Sequence, residues 1–375
     1  MKFAAGSITL LLSVLLFNSC KNELDLNAPY KEIPSIYAII NPQEKVQMIR
    51  INKVFLGERN ANDMAQVADS INYPAGELSV TMDRYVNGQQ TDIVPGKRTI
   101  TFRDSMVQAS PGAFNTNQRV YVCYEDLHQG QVGSPNYIIS GNYRLTVKNI
   151  RTGNTFTAQA AAIDSLGSQG NPLLNLLGPP YYPTPSSADA KEPFYANYSN
   201  QTTNYNIWYK PMPNARIYQV KLRLWYRDDV GAEDYADYDF GNQNVKDVTS
   251  TGAYQGMLTA SFRGQDLFGG LGTALAKKNI STVHARTMFK IQYFIYATTQ
   301  EYLDYIRYVS PSLSISQNKP LYSNISNGAL GLFTFRSRFL VSKSMHTFFI
   351  NEFATNKNTC SYRFRNSGGG EPGCP

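Results

Sequence analysis

The stretch RIYQVKLRLWYRD, residues 216–228, decides the fold of the chain. Its apolar and polar side chains alternate with a period of two, which predicts a strand with one face in a hydrophobic core. The apolar set is Tyr218, Val220, Leu222, Leu224 and Tyr226. We expect the other set to lie on an accessible face and to form a candidate ligand or partner surface. That set is Lys221, Arg223, Trp225 and Arg227.

Trp225 among three cations is the most chemically specific part of this strand. Such a group suits a sugar or a protein partner, because ring stacking and cation–π contacts can both operate there. The alternative is a face covered by helices, with the cations extending past them to solvent. The chain holds two Trp in all, which argues against a dedicated glycan platform.

Short strand-like runs recur on both sides of this stretch, separated by Gly, Asn and Pro. Asn87-Gly88 and Thr152-Gly153 are hairpin signals. We predict a mainly β fold, an N-terminal β-sandwich followed by a second antiparallel β domain with one or two short helices. The helical candidates are residues 264–278 and 301–309, where apolar side chains recur about every four positions.

The most plausible domain boundary is residues 166–193, which carry six prolines and no clear period. Such a composition is typical of a stiff extended connector. The predicted division is a signal peptide at 1–19, a tether at 20–32, the N-terminal sandwich at 33–165, the connector at 166–193, the second β domain at 194–350 and a C-terminal tail at 351–375.

The first twenty residues, MKFAAGSITLLLSVLLFNSC, have the pattern of an export signal. Lys2 precedes an apolar run at 3–17 that is shorter than the about 20 residues needed to span a bilayer. Ser19 followed by Cys20 resembles a bacterial lipobox, which implies that Cys20 is acylated and becomes the mature N-terminus. An ordinary secretory signal with an incidental cysteine is the alternative.

The segment CKNELDLN resembles the surface-export signals of Bacteroidota lipoproteins, because Glu23 and Asp25 closely follow the cysteine. This favours the outer face of the outer membrane, the periplasmic face being the alternative. Together with SIYAIINP, SGNYRLTVKNIRTGNTFTAQAAAIDSL and NKPLYSNISNGALGLFTF, in this order, it resembles a Bacteroidota lipoprotein family of unknown function. The resemblance implies an immunoglobulin- or transthyretin-like β domain plus a second β-rich domain, and it brings no catalytic residues.

The composition offers little support for catalysis or nucleic-acid binding. The net charge of +7 comes from scattered Lys and Arg, without the basic stripe of a nucleic-acid binder. The short signatures of hydrolases, nucleotide-binding loops and zinc sites are absent, and the three His have no ligand spacing. We therefore expect no enzyme, no cofactor and no metal. The acidic run 228–239 is read as a solvated loop, with calcium binding as the alternative.

Two kinds of covalent modification are predicted. Three Asp-Ser-aliphatic triplets resemble the Bacteroidota O-glycosylation sequon, although Asp-Ser also simply marks turns. The serines concerned are Ser70, Ser105 and Ser165. Cys360 and Cys374 flank a glycine-rich stretch, and in an oxidising compartment they could pair. Two free thiols in a disordered tail are the alternative.

These observations favour a non-enzymatic outer-membrane lipoprotein that acts as an interaction module. We expect an outer-membrane protein partner, in an envelope assembly such as a TonB-dependent transporter or a secretion complex. A surface glycan- or peptide-binding lipoprotein is the second interpretation.

Overall fold

The structure, a computed structural model, is mainly β with a few short helices, which confirms the predicted fold class. It describes residues 33–54, 67–108, 117–127, 141–163, 176–177, 193–198, 204–209, 211–244, 256–278, 284–309 and 322–375. The strands of the first half are β1 Ile33–Ile40, β2 Gln47–Val54, β3 Leu78–Val86, β4 Gln89–Thr91, β5 Thr99–Val107, β6 Gln118–Cys123, β7 Asn142–Asn149 and β8 Thr155–Ala161. The later strands are β9 Leu176–Leu177, β10 Tyr205–Tyr209, β11 Ile217–Asp228, β12 Glu233–Asn244, β13 Leu258–Phe262, β14 Arg286–Thr298 and β15 Leu330–Lys343. The helices are α1 Ala68–Ile71, α2 Gly264–Lys277, α3 Gln300–Val309 and α4 Thr347–Thr355.

The first half is a sandwich whose two sheets share strand β5. Residues 99–102 of β5 pair with β3, whereas residues 103–107 pair with β6. One sheet therefore runs β1-β2-β6-β5 and the other β5-β3-β7-β8. Their inner faces meet in one core, because alternate side chains of each strand point inward.

The open edge of this sandwich is closed by the residues that precede β15. Ile325 forms a bridge to Ala158 of β8. The Ser326 amide donates to the Thr157 carbonyl at 2.8 Å, and the Thr157 amide donates to Ser326 Oγ, also at 2.8 Å. The chain then enters β15, which pairs with β1 at the other edge of the sandwich. Backbone pairing therefore connects the β8 edge to the β1 edge.

The second half is built on the antiparallel order β12-β11-β14-β15. One face of this sheet carries a core that also contains residues of α2, α4 and the small sheet β13-β10-β9. Leu267, Leu271 and Leu275 of α2 are fully buried there. Their spacing is the four-residue repeat that predicted this helix.

Strand β15 belongs to both halves. Residues 330–335 pair in parallel with β1, and residues 336–343 pair antiparallel with β14. Phe333 and Phe335 are buried in the N-terminal core. One strand therefore joins the two halves into a single continuous sheet.

The C-terminal residues are more ordered than a tail. Helix α4 ends at Thr355 and is followed by a 3-10 turn at Cys360–Tyr362. A disulfide joins Cys360 to Cys374. Between these two cysteines, Phe364 is fully buried in the C-terminal core.

Candidate functional site

The candidate surface is the face of the β12-β11-β14-β15 sheet that points away from the C-terminal core. We call it the outer sheet face. Burial along β11 alternates: Val220, Leu222 and Leu224 are fully buried, whereas Lys221 and Arg223 between them are half-buried. The helices α2 and α4 contribute to the core on the other face of the sheet.

Each of the three predicted cations on β11 pairs with an acid on β12. Arg223 donates to both carboxylate oxygens of Asp237, Nε to Oδ1 at 2.7 Å and Nη2 to Oδ2 at 2.9 Å. These hydrogen bonds raise the pKa of Arg223 above its ordinary value. The other two pairs are Lys221 with Asp239, at 3.4 Å, and Arg227 with Glu233.

Trp225 is half-buried, and its polar edge is already satisfied within the protein. The indole Nε1 donates to Gln292 Oε1 at 2.6 Å, and Gln292 Nε2 donates in turn to Ser342 Oγ at 2.9 Å. The ring lies 5.2 Å from the Tyr235 ring between centroids, and the Lys290 Nζ atom lies 4.9 Å from its centroid. The indole N–H is therefore not free to select a ligand, although the ring can still contribute contact area.

Aromatic rings and cations alternate across the rest of the outer sheet face. The Arg223 guanidinium carbon lies 3.5 Å from the Tyr235 ring centroid and 4.9 Å from that of Phe294. Two large apolar side chains, Phe289 and Leu340, are exposed on neighbouring strands. Lys290 makes no ion pair with any described residue. The surface thus combines apolar contact area with fixed charges.

The acidic run 228–239 is mostly a strand and not the predicted solvated loop. Strand β12 begins at Glu233 and pairs with β11 in antiparallel register. Asp237 and Asp239 are each engaged by a β11 cation, so their oxygens serve the ion pairs described above. Within the described ranges, no group of three His, Cys, Asp or Glu side chains could hold a metal ion.

The remaining predicted residues are spread over the molecule. Cys20 and Ser165 lie outside the described residues. Ser70 lies in α1 and Ser105 in β5, and both are half-buried. The tether and nearly all of the connector also lie outside the described ranges. No helix in the described part of the chain has the length and hydropathy that crossing a bilayer requires.

The cross-strand partners were missed at the level of sequence. Tyr235 and Asp237 occupy alternate positions of the acidic run, which is itself a period-two signal. The run is rich in acidic residues, which is typical of a loop, and its alternation was therefore overlooked. For Gln292 and Lys290, the sequence holds no signal, because their role depends on the register of β14 beside β11.

No known family model matches the chain, and a search of the curated proteins finds no match. The resemblance to Bacteroidota lipoproteins therefore stays a prediction from short motifs.

Proposed function

We propose that the protein is an outer-membrane lipoprotein, held by acyl chains on Cys20, that binds a protein partner and catalyses no reaction. The observation that supports this best is the outer sheet face. It presents exposed Phe289 and Leu340 beside charge-paired Arg223 and Lys221. Aromatic and Arg side chains are enriched at protein interfaces, and such a patch is typical of an interaction surface.

The internal pairing of the cations favours a protein partner over a free anionic ligand. An Arg held by a bidentate carboxylate is already neutralised, so an anion would have to compete with Asp237. A protein surface can instead cover the apolar side chains and leave these pairs at its polar rim. We propose that the partner belongs to an envelope assembly, such as a TonB-dependent transporter or a secretion complex.

The test is a mild-detergent pull-down from native outer membranes with three tagged chains. Leu340→Asp places a charge within the proposed contact and should reduce recovery of the partner about tenfold. Tyr124→Asp is the matched control, because Tyr124 is an exposed aromatic side chain on the N-terminal sandwich. Equal loss of the partner from both variants, or recovery of the chain alone, would contradict this surface.

The lipid anchor is tested separately. Cys20→Ala removes the residue that would carry the acyl chains, and a variant that stays membrane-bound with its signal uncleaved would contradict the anchor. We expect the variant to leave the membrane fraction once its signal is removed, because two or three acyl chains are needed for firm binding. Protease treatment of intact cells that carry the wild-type chain then distinguishes the two faces of the outer membrane. Cleavage indicates the outer face, and protection indicates the periplasmic face.

A glycan- or peptide-binding lipoprotein is the second candidate. It is favoured by Lys290, which lies over the Trp225 ring and is not held by a described carboxylate. A ligand could displace this side chain and stack on the indole. Saturable glycan binding that is lost in Trp225→Ala, with the chain recovered alone from membranes, would support this function instead.

A further inference from the structure

The dipeptide Asn-Gly occurs twice in the chain, as Asn87-Gly88 and as Asn327-Gly328. Both pairs lie in a tight turn, and all four residues have positive φ, with +51° and +79° for the first pair and +59° and +73° for the second. Asn and Gly adopt this left-handed backbone at the lowest cost. The two pairs therefore share both their sequence and the region of their backbone conformation.

An Asn-Gly pair is chemically reactive. The amide nitrogen of the glycine attacks the side-chain carbonyl carbon of the asparagine, because glycine has no Cβ to hinder the approach. A new C–N bond forms, the bond to the side-chain nitrogen breaks, and this nitrogen leaves as ammonia with the proton that the glycine amide gives up through solvent. Water then opens the resulting five-membered succinimide at either carbonyl and leaves aspartate or isoaspartate. The reaction consumes water alone, and it requires the asparagine side chain to turn toward the glycine amide.

The first turn leaves this side chain free to rotate. Asn87 and Gly88 are exposed at the tip of the β3–β4 hairpin, and Gln89 and Gln90 after them are exposed as well. The Asn87 side chain forms no hydrogen bond with any described residue. Strand β4 is three residues long and pairs with β3 alone among the described strands. The described part of the chain therefore offers no bond that opposes rotation of Asn87.

The second turn holds its asparagine in place. Asn327 Nδ2 donates to the Thr155 carbonyl of β8 at 2.6 Å. The preceding residue is anchored to the same strand: the Ser326 amide donates to the Thr157 carbonyl, and Ser326 Oγ accepts from the Thr157 amide, both at 2.8 Å. Rotation of Asn327 toward Gly328 must break the first of these bonds while the other two hold the turn against β8.

We infer that Asn87 is a site of spontaneous covalent modification to aspartate and isoaspartate, and that the fold protects Asn327 from the same reaction. In the folded chain we expect Asn87 to react about fivefold faster, the ratio that one hydrogen bond worth about 1 kcal/mol produces. This inference is independent of the proposed lipid anchor and of the proposed partner.

The consequences for the fold differ between the two positions. Isoaspartate adds one methylene group to the backbone, which a two-residue turn between paired strands does not accommodate. At position 87 we expect the damage to stay within the pairing of residues 84–86 with 89–91, because β3 keeps its pairing with β5 and β7. At position 327 the same change would open the contact with β8 that closes the N-terminal sandwich. The reactive position is therefore the one at which the fold tolerates modification.

The test follows both positions in one molecule. The full chain is kept folded in mildly alkaline buffer, which favours loss of the glycine amide proton, and peptide mapping by mass spectrometry gives the conversion at 87 and 327 over time. The same chain in concentrated urea is the control for sequence, and there we expect similar rates at both positions. Ser326→Ala removes the hydroxyl that bonds to Thr157, and it should raise the rate at 327 and leave the rate at 87 unchanged.

Each outcome bears on a separate part of the inference. Faster conversion at 87 in the folded chain, together with similar rates in urea, would support it. Equal rates in the folded chain, or faster conversion at 327, would contradict the protection by β8. A folded chain that stays unmodified at 87 while the urea sample converts would contradict the modification site itself. Circular dichroism of chains modified at 87 should match that of fresh chains, and loss of the β signal would contradict the tolerance of the hairpin.

Discussion

The two hydrophobic cores of the molecule are enclosed in different ways. Paired strands surround the N-terminal core: β5 passes from one sheet to the other, and residues 325–326 close the gap to β8. The C-terminal core is covered on one side by the β12-β11-β14-β15 sheet. On the other side, α2, α4 and the disulfide loop supply buried rings, among them Phe349, Phe353 and Phe364.

This difference has consequences for stability. The alternating apolar side chains and the turns fix the register of the N-terminal sandwich, because a slip by one residue would move every side chain to the other face. The C-terminal core depends more on the fit of side chains. Phe353 contacts Phe349, Phe268 and Phe364, with ring centroids 5.1–5.7 Å apart. We therefore expect the first core to be sensitive to backbone changes and the second to changes in ring volume and in the covalent loop.

The largest effect is expected where the backbone of β15 comes closest to that of β1. Gly331 of β15 has φ +123°, and a Cβ there would lie 1.9 Å from the Ile36 carbonyl oxygen. Gly331→Ala would force β15 away from β1 in addition to straining the backbone. We expect a loss of unfolding free energy above about 4 kcal/mol, in the range of exceptional single substitutions. Urea unfolding followed by circular dichroism measures it.

Gly269→Ala is the control for that substitution. Gly269 lies within α2 and has no atom within 4 Å of a built Cβ. Alanine at an open helical position stabilises by about 0.5–1 kcal/mol, so the two glycine variants should change stability in opposite directions. A Gly331→Ala chain as stable as the wild type would refute the close approach of β15 to β1.

Phe353→Ala is expected to have the next largest effect. The ring is fully buried, and its removal should cost about 3–5 kcal/mol through lost burial and the cavity left behind. Hydrogen exchange should show loss of protection first in β11 and β14, which line this core.

Leu145→Ala in β7 is the counterpart in the other core, and it should reduce the protection of β3 and β8 instead. The same exchange pattern in both variants would mean that the two cores unfold as one unit.

Removal of the disulfide is expected to cause the next largest loss of stability. Cys360→Ser together with Cys374→Ser opens a loop with a sequence separation of 14, worth about 3 kcal/mol on the chain-entropy model. The loop holds Phe364 in the core, and it pairs with β14 through the Arg286 amide and the Arg363 carbonyl at 2.9 Å. Urea unfolding with and without reductant measures the effect. Reductant should lower the stability of the wild type and leave the double variant unchanged.

The sequence alone was enough to predict which segments form strands and which face of a strand is buried, because the period-two pattern depends on local chemistry alone. The alternation from Tyr218 to Tyr226 corresponds to β11, and the apolar repeat of 264–278 to α2. Helix α4 was missed, although Phe349 and Phe353 have helical spacing and His346 caps its first turn. It is short and follows directly on a long strand.

Partners across the sheet could not be predicted. Strand β15 was assigned to the second domain, and nothing local reveals that its first residues pair with β1, about 300 positions earlier. The candidate site has the same limit. The sequence placed Trp225 on an accessible face, but whether its ring faces solvent or neighbouring side chains depends on the register of β12 and β14.

The smallest expected effect concerns pH and the C-terminal half. Burial tends to raise the pKa of Asp234, but bonds from Lys278, the Tyr235 amide and the Tyr226 hydroxyl outweigh it and hold the pKa below its ordinary value. A carboxyl with a depressed folded-state pKa stabilises the fold above its unfolded pKa of about 3.9, and this contribution is lost as the pH falls through the folded value.

A double-mutant cycle between Asp234→Asn and Lys278→Met isolates this interaction. The pair is partly exposed, so its coupling free energy should lie within about 0–1 kcal/mol at neutral pH. It should decline toward zero as the pH falls below about 3.9 and through the folded-state pKa of Asp234, since protonation removes the charge that Lys278 contacts. A coupling that stays constant over this range would mean that the contact is packing and not charge.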